Sequence, residues 1–238
     1  MKAYMITYMK SKERVENFNL AKALSNGNLN LFEAVDGLEN YESLCEFDRK
    51  HHFHTDLYKE KWKHMPGKLG CNLSYSVLFS QILKEDPADD WFLILEDDAG
   101  VHQGFYEEAK EISKKACLIG THFVRLYVGS GDGFWPEDTG YWNFSPSKQF
   151  DDSLLIEDNF YKMMPQWYTT AQLISKEGIK RLLAVCPWDE NIDLLLNRFC
   201  NLIFATAYPC KSFFSKGSCG VNDSHSQMGS VIYESQQC

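Results

Sequence analysis

Three carboxylates stand side by side at Glu96, Asp97 and Asp98, directly after the apolar run Trp91-Phe92-Leu93-Ile94-Leu95. A wholly apolar run of that length suits a central strand covered on both faces. In an open α/β sheet, ligands bind beyond the carboxyl ends of the strands, and the triplet falls at such an end. If strand alternation continues, Glu96 and Asp98 point one way and Asp97 the other. Adjacent carboxylates repel at neutral pH, and a hard divalent cation among them relieves the repulsion. Mg²⁺ or Mn²⁺, held by oxygen ligands, keeps positions open for a phosphate. A solvated acidic turn would carry the same residues, and on the triplet alone the two accounts stand level.

The elements that would position this triplet follow from hydrophobic patterning. Residues 3–9 and 31–35 suit short strands, the second ending in the turn dipeptide Asp36-Gly37. Ser11 caps a helix over 12–25, with Gly27 as its stop. Apolar side chains at 75, 78, 79, 82 and 83 give helical spacing over 71–84. A helix over 104–116 and a strand over 122–128 come next, then a Gly-, Asp-, Pro- and aromatic-rich loop over 129–153. Residues 167–174 suit a strand, Ser175 caps a helix to about 185, 189–199 form another, and 202–208 a last strand. The tail from 211 is irregular. Strands alternating with helices imply an α/β fold with a mixed, largely parallel sheet flanked by helices. No repeat, low-complexity tract or linker intervenes, so one domain over 1–238 is expected.

Composition removes whole classes of function. The chain has 238 residues, 44% hydrophobic and 24% charged, enough for a sizeable core. Its 24 basic and 33 acidic side chains leave a net charge of -9, which argues against nucleic acid or an anionic membrane as the main partner. None of the eight cysteines forms a C-x-x-C pair, so the usual zinc and thioredoxin signatures are missing. No stretch approaches the roughly 20 apolar residues of a membrane helix, and the N-terminus has no cleavable apolar run. A cytoplasmic chain with mostly free thiols is expected. The alternative is a catalytic domain cut from a longer secretory protein of the endoplasmic reticulum lumen. Sequons at Asn72, Asn143 and Asn222 are at chance frequency. The His cluster at 51, 52 and 54 has no carboxylate at helical spacing and reads as surface.

The triplet does not stand alone. Gly70-Cys71-Asn72-Leu73-Ser74-Tyr75-Ser76 leads an apolar helix, and Ile94-Leu95-Glu96-Asp97-Asp98-Ala99 follows about twenty residues on. Together they resemble glycosyltransferase family 25, which includes bacterial lipooligosaccharide galactosyltransferases and collagen hydroxylysine galactosyltransferases. Further pieces occur in order. Tyr4-Met5-Ile6-Thr7, followed by Lys12-Glu13-Arg14, resembles the opening strand and its Arg. Phe32-Glu33-Ala34-Val35-Asp36-Gly37 is similar to F-x-A-V-D-G. Residues 170–178 are similar to T-A-x-x-L-S-x-x-G, and Pro187-Trp188-Asp189 to P-x-D. The resemblance spans about residues 3 to 232. Tyr75 stands where the family usually has His, and 129–166 matches nothing in the pattern.

The resemblance implies a GT-A fold, Rossmann-like, and transfer of a hexose, galactose or glucose, from a UDP-sugar with inversion. The acceptor would be a hydroxyl of a glycan or of hydroxylysine in a collagen-like protein. It further implies Mn²⁺ or Mg²⁺ on Asp98 and Glu96, with His225 as third ligand and Asp223 as runner-up. Thr7, Arg14, Asp36, Gly37, Ser74, Glu96 and Asp97 would meet the donor, with Arg14 on the diphosphate and Asp36 on uracil or ribose. Asp189 is the first choice for general base and Asp193 the second. Asp189 also suits an N-cap, and Trp135, Tyr141 and Trp142 suit either sugar stacking or local packing. Two other classes compete: a catalytically inactive GT-A-like binding module, and a metal-dependent nucleotidyltransferase or phosphohydrolase. An intact triplet speaks against the first, and the missing P-loop against the second.

Overall fold

The computed structural model describes residues 1–37, 39, 66–85, 88–126, 154–163, 169–186, 188, 191–210 and 212–215. Its strands are β1 (Lys2–Thr7), β2 (Leu29–Glu33), β3 (Trp91–Glu96), β4 (Ala99–Val101), β5 (Phe123–Arg125), β6 (Leu155–Glu157), β7 (Phe160–Lys162), β8 (Ala171–Ser175), β9 (Ala205–Ala207) and β10 (Phe213–Ser215). Its helices are α1 (Lys12–Leu24), α2 (Pro66–Glu85), α3 (Phe105–Ile119), α4 (Lys176–Leu183) and α5 (Ile192–Arg198). Eight strands form one sheet in the order β2-β1-β3-β8-β5-β9-β7-β6, and β10 pairs with β4 in a second.

The fold is mixed α/β, as the alternating pattern predicts, but the sheet is not largely parallel. Parallel pairing holds for β1 with β2, β1 with β3 and β5 with β9. The other four neighbouring pairs of the large sheet are antiparallel. The reversal comes from β8, which enters between β3 and β5 running the opposite way. It also sets up the site, because the start of β8 lies beside the end of β3: Glu96 N–H donates to the Thr170 carbonyl at 3.0 Å.

Burial of the β3 run alternates between two cores. Leu93 and Leu95 join Met5, Phe18 and Ile112 on the face covered by α1 and α3. Phe92 and Ile94 join Tyr75, Phe79, Ile179 and Leu195 on the face covered by α2, α4 and α5. Two apolar faces, each under helices, explain why no polar residue interrupts the run.

Several sequence patterns turn out to be joints between elements. Ser11 caps α1, its side chain accepting from the Arg14 N–H. Ser175 caps α4 by accepting from the Gly178 N–H at 3.0 Å. A Cβ on Gly178 would lie 2.6 Å from the His122 carbonyl oxygen, so the Ser-x-x-Gly spacing docks α4 against the start of β5. Gly70 plays the same part on α2, where an added Cβ would lie 2.6 Å from the Val35 carbonyl oxygen and 2.8 Å from the Gly37 nitrogen. Both obstacles are backbone. Gly70→Ala is therefore expected to destabilise the fold by roughly 1–3 kcal/mol, as overpacking does. Urea denaturation checks this, and an unchanged midpoint would refute the close approach.

Candidate active site

The residues at the end of β3 are held from three directions. From α1, Arg14 makes an ion pair with Asp97 at 2.8 Å, its side chain 6% exposed and that of Asp97 17%. One turn on, the Asn17 amide donates to the carbonyls of Asp97 and Ala99, both at 2.8 Å. The Tyr8 N–H donates to the other Asp97 oxygen at 2.8 Å. Asp97 thus ties β1 and α1 to the turn between β3 and β4. Burial pushes its carboxyl above its ordinary value, against the pull of Arg14.

From α2, residues between Gly70 and Tyr75 reach three neighbours: the segment after β2, the start of α5 and Glu96. Ser74 donates to the Gly70 carbonyl and accepts from the Val35 N–H at 2.8 Å. With Gly70 it grips the segment after β2, so the Gly-Cys-x-x-Ser and F-x-A-V-D-G patterns meet in space. Asn72 Oδ1 accepts from the Ile192 N–H at 2.8 Å, supporting the first residue of α5. Cys71 and Tyr75, one turn apart, face Glu96. The Cys71 thiol lies 3.9 Å and the Tyr75 hydroxyl 3.2 Å from Glu96 Oε1. The helix begins at Pro66, so this motif lies inside it rather than leading it. Tyr75, at the position where the resemblance has His, is fully buried and donates to Glu96 or to the Thr169 carbonyl.

From β8, the Thr169 hydroxyl donates to the same Glu96 oxygen. Burial, then the charges of Asp98 and Asp193, push Glu96 up to about 8, against the Thr169 hydrogen bond. Asp98 and Asp193 are therefore close enough for their charge to act on Glu96. Without metal, Glu96 holds its proton near neutral pH, whereas in the unfolded chain it titrates near 4.5. The native state binds the extra proton between those values, so stability falls as pH rises through that window. The slope has a ceiling of about 1.4 kcal/mol per pH unit. Denaturation of the metal-free protein across the window should show this fall, and Glu96→Gln should abolish it. An equal slope in the variant would refute the assignment.

One further group lies on this face. Arg125, on β5, is 1% exposed, and among the described residues none of its guanidinium nitrogens has a hydrogen-bond partner. Burial lowers its pKa, while the charges of Asp193, Tyr75 and Glu96 oppose the shift. A charged residue inside Phe123-Val124-Arg125-Leu126 is the signal that sequence reasoning passes over.

The other expected residues distribute as follows. Asp36 Oδ2 accepts from the Tyr8 hydroxyl at 3.0 Å and from Lys10 Nζ at 2.9 Å. Gly37 lies beside Gly70, and Thr7 is buried with its hydroxyl turned to the Met5 carbonyl. Glu96, Asp97, Asp98, Arg14 and Asp193 form one neighbourhood, and Thr7, Asp36, Gly37 and Ser74 frame its β1–β2 side. Asp189, His225, Asp223, the His cluster at 51, 52 and 54, and Trp135, Tyr141 and Trp142 lie outside the described residues. No group of three His, Cys, Asp or Glu suited to a metal occurs among the described residues.

The family model described as glycosyltransferase family 25 (LPS biosynthesis protein) matches residues 1–196. The chain belongs to glycosyltransferase family 25. As a glycosyltransferase it moves a sugar from a donor to an acceptor, and the match runs from β1 into α5, leaving β9 and β10 beyond it. No curated protein matches the chain. Among the described residues, no helix is long and apolar enough to cross a membrane.

Proposed function

We propose that this family 25 glycosyltransferase moves a hexose, galactose or glucose, from its UDP-sugar to a hydroxyl of a glycan or collagen-like acceptor, with inversion. The observation that carries the proposal is the gathering of Glu96, Asp98 and Asp193 on one side of the β3 end. Asp97 is turned away into its ion pair with Arg14. An inverting transfer needs one carboxylate to take the proton from the acceptor hydroxyl as its oxygen attacks the anomeric carbon. In the same event the bond from that carbon to the diphosphate breaks. Asp193, at the start of α5 and across from β3, is the base in this proposal. Asp189, the first choice from sequence, shares the same short stretch of chain.

Carboxylate oxygens suit Mn²⁺ or Mg²⁺. Glu96 and Asp98 would hold the ion, and the upward push on Glu96 by its acidic neighbours is the repulsion such an ion relieves. His225 is the proposed third ligand. When bound, the ion supplies positive charge against the leaving diphosphate. Arg14, Asn17 and Asp97 act as the clamp that fixes the turn.

Thermal unfolding tests the proposal. Mn²⁺ with UDP at a hundredfold excess over its Kd should stabilise the protein by about 2.7 kcal/mol. Asp98→Ala should remove that gain and keep the unliganded midpoint. A gain that survives in Asp98→Ala would place the donor elsewhere. The absence of any response to UDP or UDP-sugars would overturn the donor class.

A further inference from the structure

Two buried polar side chains on the floor of this site lack the partners that their chemistry demands. Arg125 and Gln172 are each 1% exposed. Among the described residues, none of the Arg125 guanidinium nitrogens has a hydrogen-bond partner, and neither do the Gln172 amide nitrogen and oxygen. They are register partners on adjacent antiparallel strands, β5 and β8, so their side chains leave the same face of the sheet. Gln172 is also in register with Ile94, two residues before Glu96. The pair therefore lies on the face of Glu96, beneath α2 and α5. Glu96 and Asp193, both partly exposed, border it.

Buried polar groups are almost always satisfied, and an unsatisfied one calls for an explanation. Here up to five guanidinium donors, two amide donors and one amide acceptor belong to register partners on one face of the sheet. The mixture constrains the ligand. A phosphate or carboxylate accepts hydrogen bonds but offers none to Gln172 Oε1. It would also add negative charge next to Asp193. A neutral ligand with neighbouring hydroxyls both donates and accepts, and adds no charge.

Resting on the function proposed above, we infer that Arg125 and Gln172 form the subsite that reads the ring hydroxyls of the transferred hexose. They thereby set which hexose epimer is accepted. A site built to hydrogen-bond a hydroxyl discriminates strongly, because the wrong epimer leaves buried groups unpaired.

The test uses the full chain, its Gln172→Met variant and its Arg125→Lys variant. UDP-galactose, UDP-glucose, UDP, free hexoses and inorganic phosphate are the probes. Gln172→Met keeps the volume but loses the amide. It should lower kcat/KM for the preferred UDP-hexose by about 10-fold or more relative to its epimer. Arg125→Lys should shift the same ratio, while the affinity for UDP stays unchanged in both variants. Equal losses for the two epimers would overturn the inference, as would a matching loss of UDP or phosphate affinity. A wild type inactive on both UDP-hexoses overturns the proposed function instead. The subsite is then judged by free hexose binding, and a hexose response that is absent, or unchanged in Gln172→Met, overturns it too.

Discussion

Asp193→Asn is expected to lower kcat by about 10²–10⁴-fold, the usual contribution of a positioned general base. An amide has nearly the shape of the carboxylate but cannot take the acceptor proton. The side chain is placed by a chain of joints: Asn72 on α2 accepts from the Ile192 N–H, and Asp193 follows on the first turn of α5. From there its charge reaches both Glu96 and Arg125. The loss should fall on kcat with little change in donor KM, because the base acts in the transition state and not in holding the donor. Steady-state UDP release measures both constants. An unchanged kcat would remove Asp193 from the role and return it to Asp189.

The second large effect is on stability. Asp97→Ala should cost roughly 3–5 kcal/mol, the usual result of taking one partner from a buried ion pair. Arg14 is 5% exposed, and Asp97 also accepts from the Tyr8 backbone. A surface pair would cost only about 0–1 kcal/mol, so the magnitude separates a buried clamp from a solvated contact. Combining Arg14→Met with Asp97→Leu should recover much of the loss, since apolar replacement of a buried pair is often neutral. Denaturant midpoints read both variants. A single-variant cost near zero would contradict the clamp.

These two residues show where the sequence was legible and where it was not. Strand alternation correctly places Asp97 opposite Glu96, and the apolar run predicts a central, doubly covered β3. The caps Ser11 and Ser175 are local signals, since a side chain bonds a backbone group three residues away. What is not legible depends on neighbours distant in sequence. Arg14 reads from sequence as a diphosphate ligand, and its pairing with Asp97, 83 residues away, is not visible there. The antiparallel entry of β8 cannot be told from a parallel one by hydrophobic period, because period 2 carries no direction. Of the six three-residue strands described, β5 and β9 lie inside longer apolar runs, whereas β4, β6, β7 and β10 have no such run to show periodicity. Arg125 and Gln172 look like interruptions of apolar strands, and only their burial without partners gives them meaning.

In the proposed function, the acidic end of β3 serves to break the bond between hexose and diphosphate with inversion. Water can replace the unknown acceptor. Proton NMR of UDP-galactose and UDP-glucose incubated with the protein and Mn²⁺ reads the anomer released before mutarotation. Both donors are α-linked, so inversion predicts that the β-hexose appears first, together with UDP, and that Asp98→Ala releases neither. Initial release of the α-hexose, or no hexose from either donor, would overturn the proposed inverting transfer.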